Sequence, residues 1–205
     1  RRCLVGSEMC IRDRANSASV MADLAKWRPH RLGTTAPAIP ASAYAAALNG
    51  DIASGIEAVE GVKAAKGYGV SVVNVPIATL WKAVADEDHR ANALPISRSM
   101  TIAGQPRTPD HTIFQYMNVP ILTDRWWVVR IRYNAALYSA SNGRAWELVW
   151  DDRLDEPAIT EKVDASLTED GMPIAWSKGA WLLVDLGDGR TLVRRPRWQL
   201  SLIHI

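Results

Sequence analysis

Residues 125–150, RWWVVRIRYNAALYSASNGRAWELVW, carry the strongest structural signal in the chain. Apolar and polar residues alternate from Trp127 to Leu137, the period of a strand with one buried face. Trp127, Val129, Ile131, Tyr133, Ala135 and Leu137 fall on one face; Arg130, Arg132 and Asn134 fall on the other. Asn142-Gly143 favours a two-residue type I′ turn, because both central residues of that turn need positive φ. The turn predicts a hairpin with Leu137 opposite Leu148 and Ala135 opposite Trp150. In that register Trp146, Leu148 and Trp150 join the apolar face, whereas a slip of one residue would send them to the polar face.

Working outward, the upstream chain reads as a short helix near Val20–Trp27 and a second helix over 42–51 that stops at Asn49-Gly50. Residues 52–66 suit an edge strand pair turning at Glu60-Gly61. Residues 68–75 are β-branched and predict a strand. A helix over 77–94 follows, with Leu80, Trp81 and Val84 at helical spacing and Pro95 as its stop. Downstream the segments 98–103, 110–119, 125–139, 144–151, 158–167, 174–186 and 190–198 all read as β. A second hairpin through Gly187-Asp188-Gly189-Arg190 pairs Leu186 with Thr191, Val184 with Val193 and Leu182 with Arg195. Early helices followed by a strand meander predict an α+β fold with an antiparallel sheet. Its aromatic-rich face needs a cover.

The two ends of the chain read differently from the rest. Met9 to Arg14 can be encoded by ATGTGTATAAGAGACAG plus one base, and Leu200 to Ile205 by CTGTCTCTTATACACATC. The reverse complement of the second, GATGTGTATAAGAGACAG, contains the first. Complementary ends have no protein-level explanation, and both resemble a transposon adapter used in sequencing libraries. We therefore expect residues 1–14 and 200–205 to be adapter-derived scars outside the fold. The rest then divides into an N-terminal helical and irregular extension (15–67) and a main domain (68–199), with natural chain missing at both ends.

Setting the scars aside changes the composition. The chain has 24 basic and 22 acidic residues; residues 1–14 hold four Arg, one Glu and one Asp, so 20 of each sign remain. A neutral domain gives no electrostatic case for nucleic acid or an anionic membrane. Both cysteines, Cys3 and Cys10, lie in the first scar, so redox compartment cannot be read. No apolar run is long enough to span a bilayer. Localisation and oligomeric state are open.

Three stretches carry a resemblance. NVPIATLWKAVADEDH (74–89) resembles the strand–helix opening of START-like domains. VPILTDRWWVVRIRY (119–133) resembles their Pro-x-x-x-Asp-Arg lead into a central strand, and SKGAWLLVDLGDGRTLVRRPRW (177–198) their Gly-x-Trp-x-Leu strand, acidic-Gly turn and returning strand. The superfamily, START-like or SRPBCC, includes lipid-transfer proteins, polyketide cyclases and pollen-allergen-type carriers. The resemblance spans roughly 68–198. It implies a helix-grip fold, in which the sheet curls around a C-terminal helix with an apolar cavity between them. Here the chain reaches its terminal scar just after Trp198, so the gripping helix is expected to be missing and the concave face unusually open.

The resemblance also implies the function: binding or transport of a lipid or other hydrophobic small molecule in that cavity, without cofactor. The expected ligand-binding residues are Trp127, Val129, Ile131, Tyr133, Trp146, Leu148 and Trp150, with Trp81 packing helix on sheet. One alternative is an enzyme of the polyketide cyclase or aromatase type, using Tyr133, His111 or Arg130 as acid/base groups in the same cavity; another is a structural or interaction role of the open sheet. No catalytic residue is assigned. Asp86-Glu87-Asp88-His89 contains metal-ligand types, but contiguously and without a partner cluster, so it reads as a solvated helix end with Asp86 structural. Asp124-Arg125 reads as an ion pair or turn ahead of the central strand. Arg130 and Arg132 would bind a carboxylate only if the sheet curled the other way. No nucleophile elbow, phosphate loop or dinucleotide fingerprint is present.

Overall fold

A computed structural model describes residues 18–33, 38–58, 64–87, 96–174 and 177–200; for Ala64 and 196–200 only the backbone is described. The expected scars, apart from the backbone of Leu200, lie outside the described residues, as do the Glu60-Gly61 turn, Asp88 and His89. Among the described residues the elements are α1 (18–27), continued by a 3-10 turn (Arg28–His30), α2 (Ala41–Leu48), β1 (Ala53–Ala58), β2 (Ala64–Val73), α3 (Ile77–Val84), β3 (Arg98–Gly104), β4 (Asp110–Met117), β5 (Arg125–Tyr133), α4 (Ala135–Ala140), β6 (Ala145–Asp152), α5 (Ala158–Lys162), α6 (Ala165–Glu169), β7 (Met172–Pro173), β8 (Ser177–Asp185) and β9 (Thr191–Leu200).

The strands form one open sheet in the order β1-β2-β9-β8-β6-β5-β4-β3, with β7 beside β5. Every pairing is antiparallel except β5–β7. The class is α+β, as the sequence predicts. The two-faced alternation of β5 also holds, but the hairpin beyond it differs. Residues 134–144 are not strand and tight turn. They hold α4, so Ile131 meets Trp150 and Tyr133 meets Leu148.

The cause is local. The Asn134 side chain accepts from the Leu137 amide 3.0 Å away and caps the helix. Two alanines follow, and no residue from 135 to 144 is β-branched. Asn142 and Gly143 do take positive φ, 52° and 77°. They use it to end α4: the Gly143 amide bonds the Tyr138 carbonyl at 2.8 Å and the Asn142 amide bonds the Ser139 carbonyl at 3.1 Å. That is the paired-bond pattern of a Schellman helix stop. Leu137 consequently packs on the face opposite Trp127. The change of register is even (Trp150 meets Ile131 rather than Ala135), so Trp146, Leu148 and Trp150 keep their predicted face.

Other segments depart from expectation. Residues 158–167 form α5 and the start of α6, with Asp164 capping α6 through the Ser166 amide. The helix expected over 77–94 ends at Val84 within the described residues. The second hairpin pairs Val184 with Leu192 and Leu182 with Arg194, one residue from the predicted register. There the Leu186 amide bonds the Arg190 carbonyl, so the loop is Gly187-Asp188-Gly189, with both glycines at positive φ.

The sheet is apolar on both faces, not one. On one face Trp127, Val129, Ile131, Leu148, Trp150 and Leu183 form a cluster beneath α3. On the other, α1 and α2 cover Val70, Ala145, Leu182, Val184 and Leu192. Residues of α5 cover Ile102, Phe114, Trp126 and Val128 further along. That double cover is why β4 is buried along all but its first residue.

Candidate functional site

All seven expected ligand-binding residues belong to one cluster on one sheet face. Strand β5 supplies Trp127, Val129, Ile131 and Tyr133; β6 supplies Trp146, Leu148 and Trp150. Ile77, Leu80, Trp81 and Val84 recur at helical spacing and turn the apolar side of α3 toward this cluster. The Trp81 ring sits edge-on to Tyr133 (centroids 5.1 Å apart) and to Trp146 (5.3 Å). Trp150 lies across Gly179 so closely that a Cβ there would stand 2.2 Å from the indole.

This packing overturns one expectation. The face is not laid open: Trp127, Val129, Ile131, Leu148 and Trp150 are buried, and Tyr133 and Trp146 partly so. Helix α3 packs over them through Leu80 and Trp81. Exposed apolar residues of this face include Ile52 and Ile56 at its far edge, each 83% exposed, and Tyr138 beside Trp146.

The face is not purely apolar. Trp127 Nε1 donates to Gln115 Oε1 (2.9 Å), and Trp146 Nε1 to the Gly143 carbonyl (2.7 Å). The Arg195 guanidinium lies 4.6 Å from the centre of the Trp181 ring. Beside Tyr133, His111 on β4 is buried, with ring centroids 6.4 Å apart. His111 Nε2 is 3.5 Å from a carboxylate oxygen of Glu87, which follows α3 and is itself 4% exposed. His111 Nδ1 lies 2.9 Å from the Thr108 carbonyl. Burial alone would lower the His111 pKa. Glu87, the Thr108 carbonyl and Asp110 outweigh it, so the pKa is raised above the usual histidine value. Sequence reading took Glu87 for part of a solvated helix end. Its burial comes from the break after Val84, which turns the chain toward β4.

Arg130 does not join this group. It lies on the other face and forms an ion pair with Asp110, its Nε 2.7 Å from Oδ1, while Arg132 pairs with Asp151 at 2.9 Å. Asp86 pairs with Arg107 at 2.9 Å. Asp124 is a turn residue. It accepts from the Tyr116 hydroxyl (2.7 Å), the Asn118 side-chain amide (2.9 Å) and the Val119 backbone (2.9 Å), which hold its carboxyl below the usual range. Arg125 donates to the Thr123 and Asp124 carbonyls rather than pairing with the carboxylate.

A second polar cluster on the opposite face was not legible in the sequence. Glu147 is 1% exposed. It accepts from Arg31 Nε (3.0 Å) and Nη2 (2.8 Å), the Leu32 amide (2.8 Å) and Asn134 Nδ2 (2.7 Å). Asn134 also donates to the His30 carbonyl at 2.7 Å. The cluster pins the segment after α1 to the middle of the sheet.

No protein-family model matches the chain, and no curated protein matches it. Solved structures do. The STAR-related lipid transfer protein from Xanthomonas axonopodis is 17% identical with a TM-score of 0.55, covering 71% of this chain and 75% of that one. The lipid transfer and protein localization domain of human StarD13 is 16% identical with a TM-score of 0.55, covering 73% and 71%. Human StAR-related lipid transfer protein 5 is 10% identical with a TM-score of 0.53, covering 94% and 85%. The fold is START-like, of the helix-grip class. Among the described residues no helix is long and apolar enough to cross a membrane.

Proposed function

We propose that this protein binds a lipid or another hydrophobic small molecule on the face bearing Trp127, Val129, Ile131, Tyr133, Trp146, Leu148 and Trp150. The carrying observation is that these seven residues form one cluster under a single short helix, in a START-like fold. Solved structures with that fold include proteins named for lipid transfer. The driving force is burial of apolar surface, about 0.8 kcal/mol per methylene, so roughly a dozen methylenes supply about 10 kcal/mol. Association costs on the order of 4–15 kcal/mol against that, so useful affinity calls for a ligand at least of this size.

An NBD-labelled fatty acid serves as probe. Binding should raise its fluorescence, and Trp150→Ala with Trp127→Ala should weaken it at least tenfold. No binding to the wild-type protein would refute this reading.

A second reading, an enzyme of the polyketide cyclase or aromatase type, draws support from His111, Glu87 and Tyr133 on the same face. Arg130, on the other face, weakens it. Cyclised product from a linear polyketone, lost in His111→Gln, would favour the enzyme.

A further inference from the structure

We propose that Glu87 and His111 form a proton-dependent latch that holds α3 over the aromatic face and so controls how fast a ligand reaches it; the control of access rests on the ligand-binding reading above.

The need for movement comes from burial. Trp127, Val129, Ile131, Leu148 and Trp150 are already covered, so a ligand can touch them only when something on that face shifts. Helix α3 is the short element packed there, through Leu80 and Trp81. Its two ends are tied down differently. Before its first turn, the Val75 carbonyl accepts from the Thr191 hydroxyl at 2.7 Å, a bond without a titrating group. Past its last turn, Asp86 pairs with Arg107 and Glu87 with His111. The Asp86–Arg107 pair is exposed on the Arg side and contributes little. The Glu87–His111 pair is buried, where an ion pair's presence or absence matters.

The geometry makes that pair depend on a proton. A carbonyl only accepts, so the Thr108 oxygen beside Nδ1 fixes the ring hydrogen on Nδ1. Neutral His111 therefore turns the Nε2 lone pair toward the Glu87 carboxylate, which repels it. Protonated His111 turns an N–H toward it. Two other groups flank the ring. Asp110, next in the strand, is drawn to Arg130, and Tyr133 presents its ring edge-to-face. The raised pKa of His111 agrees with a fold that stabilises the charged form. The latch is thus closed at low pH and opens as pH rises through the folded-state value.

Hydrogen–deuterium exchange of the peptide covering 77–87, normalised to intrinsic rates at pH 6 and pH 9, reads the latch without any ligand. Protection should fall between the two, by up to about tenfold for each pKa unit by which the fold raises His111. Glu87→Gln should keep its protection at pH 9, because its amide can donate to the neutral Nε2. Release of the NBD-labelled fatty acid should quicken with pH in step with exchange. Wild-type protection unchanged by pH overturns the latch and leaves ligand binding intact, whether or not the variant folds. Exchange that responds while probe release does not overturns the control of access. Failure to bind the probe at either pH overturns the ligand reading, and access control with it.

Discussion

Glu147 shows how far parity alone carries a residue. Alternation correctly sets it opposite Trp146 and Leu148, on the polar face. Yet α1 and the segment after it cover that face, and Arg31 and Asn134 meet the carboxylate. No period in the sequence reports a partner more than a hundred residues away. Glu147→Ala should cost about 3–5 kcal/mol, because it strands Arg31 in a buried site; the urea midpoint at constant slope measures it. His111 gives a pH dependence of opposite sense to that of a paired carboxylate. Its folded pKa is raised, so its contribution is complete below the ordinary value of about 6.5 and is lost as pH climbs through the folded value. Stability of the wild type should decline over that window. His111→Gln should remove the decline, as denaturation series at several pH values would show.

Among elements, the β5–α4–β6 unit separates what patterning can predict from what it cannot. The seven face residues were legible because side-chain direction depends only on odd and even position, and α4 changed the register by an even step. The helix itself was missed because Asn-Gly serves both a hairpin and a helix stop. The deciding residue is Asn134, whose capping role is visible only once Leu137 is seen to be helical. Asn134→Ala should lower stability by about 1–2 kcal/mol through the lost cap, and by more where Glu147 is left short of a donor. Gly179 is the matching case in a strand. Gly179→Ala pushes a methyl into Trp150 and should cost roughly 1–3 kcal/mol, with a shift in tryptophan emission.

For the molecule as a whole, the START-like reading came from three sequence stretches, and the solved structures bear it out. The expected open face did not hold, because α3 packs over its aromatics and buries most of them. The two edges of the sheet are protected unequally. At β3 a register shift between Thr101 and Ala103 breaks the ladder, and Lys162 Nζ donates to the Ile102 carbonyl at 2.6 Å. At β1 the strand edge is free among the described residues, next to Ile52 and Ile56. Ile52→Lys with Ile56→Lys should reduce light scattering during refolding and leave the unfolding midpoint within about 0.5 kcal/mol of wild type.

The seam between β2 and β9 carries a consequence in time. It joins Val73 to Thr191, so β2 waits for a strand more than a hundred residues further along the chain. During synthesis β1 and β2 leave the ribosome as a two-stranded ribbon, too small to hold together alone. Strand β2 meets its second partner in the sheet only when β9 arrives. The order of emergence thus makes the first strands formed the last to be secured, and leaves the nascent chain dependent on whatever shields Ile52 and Ile56 in the interval.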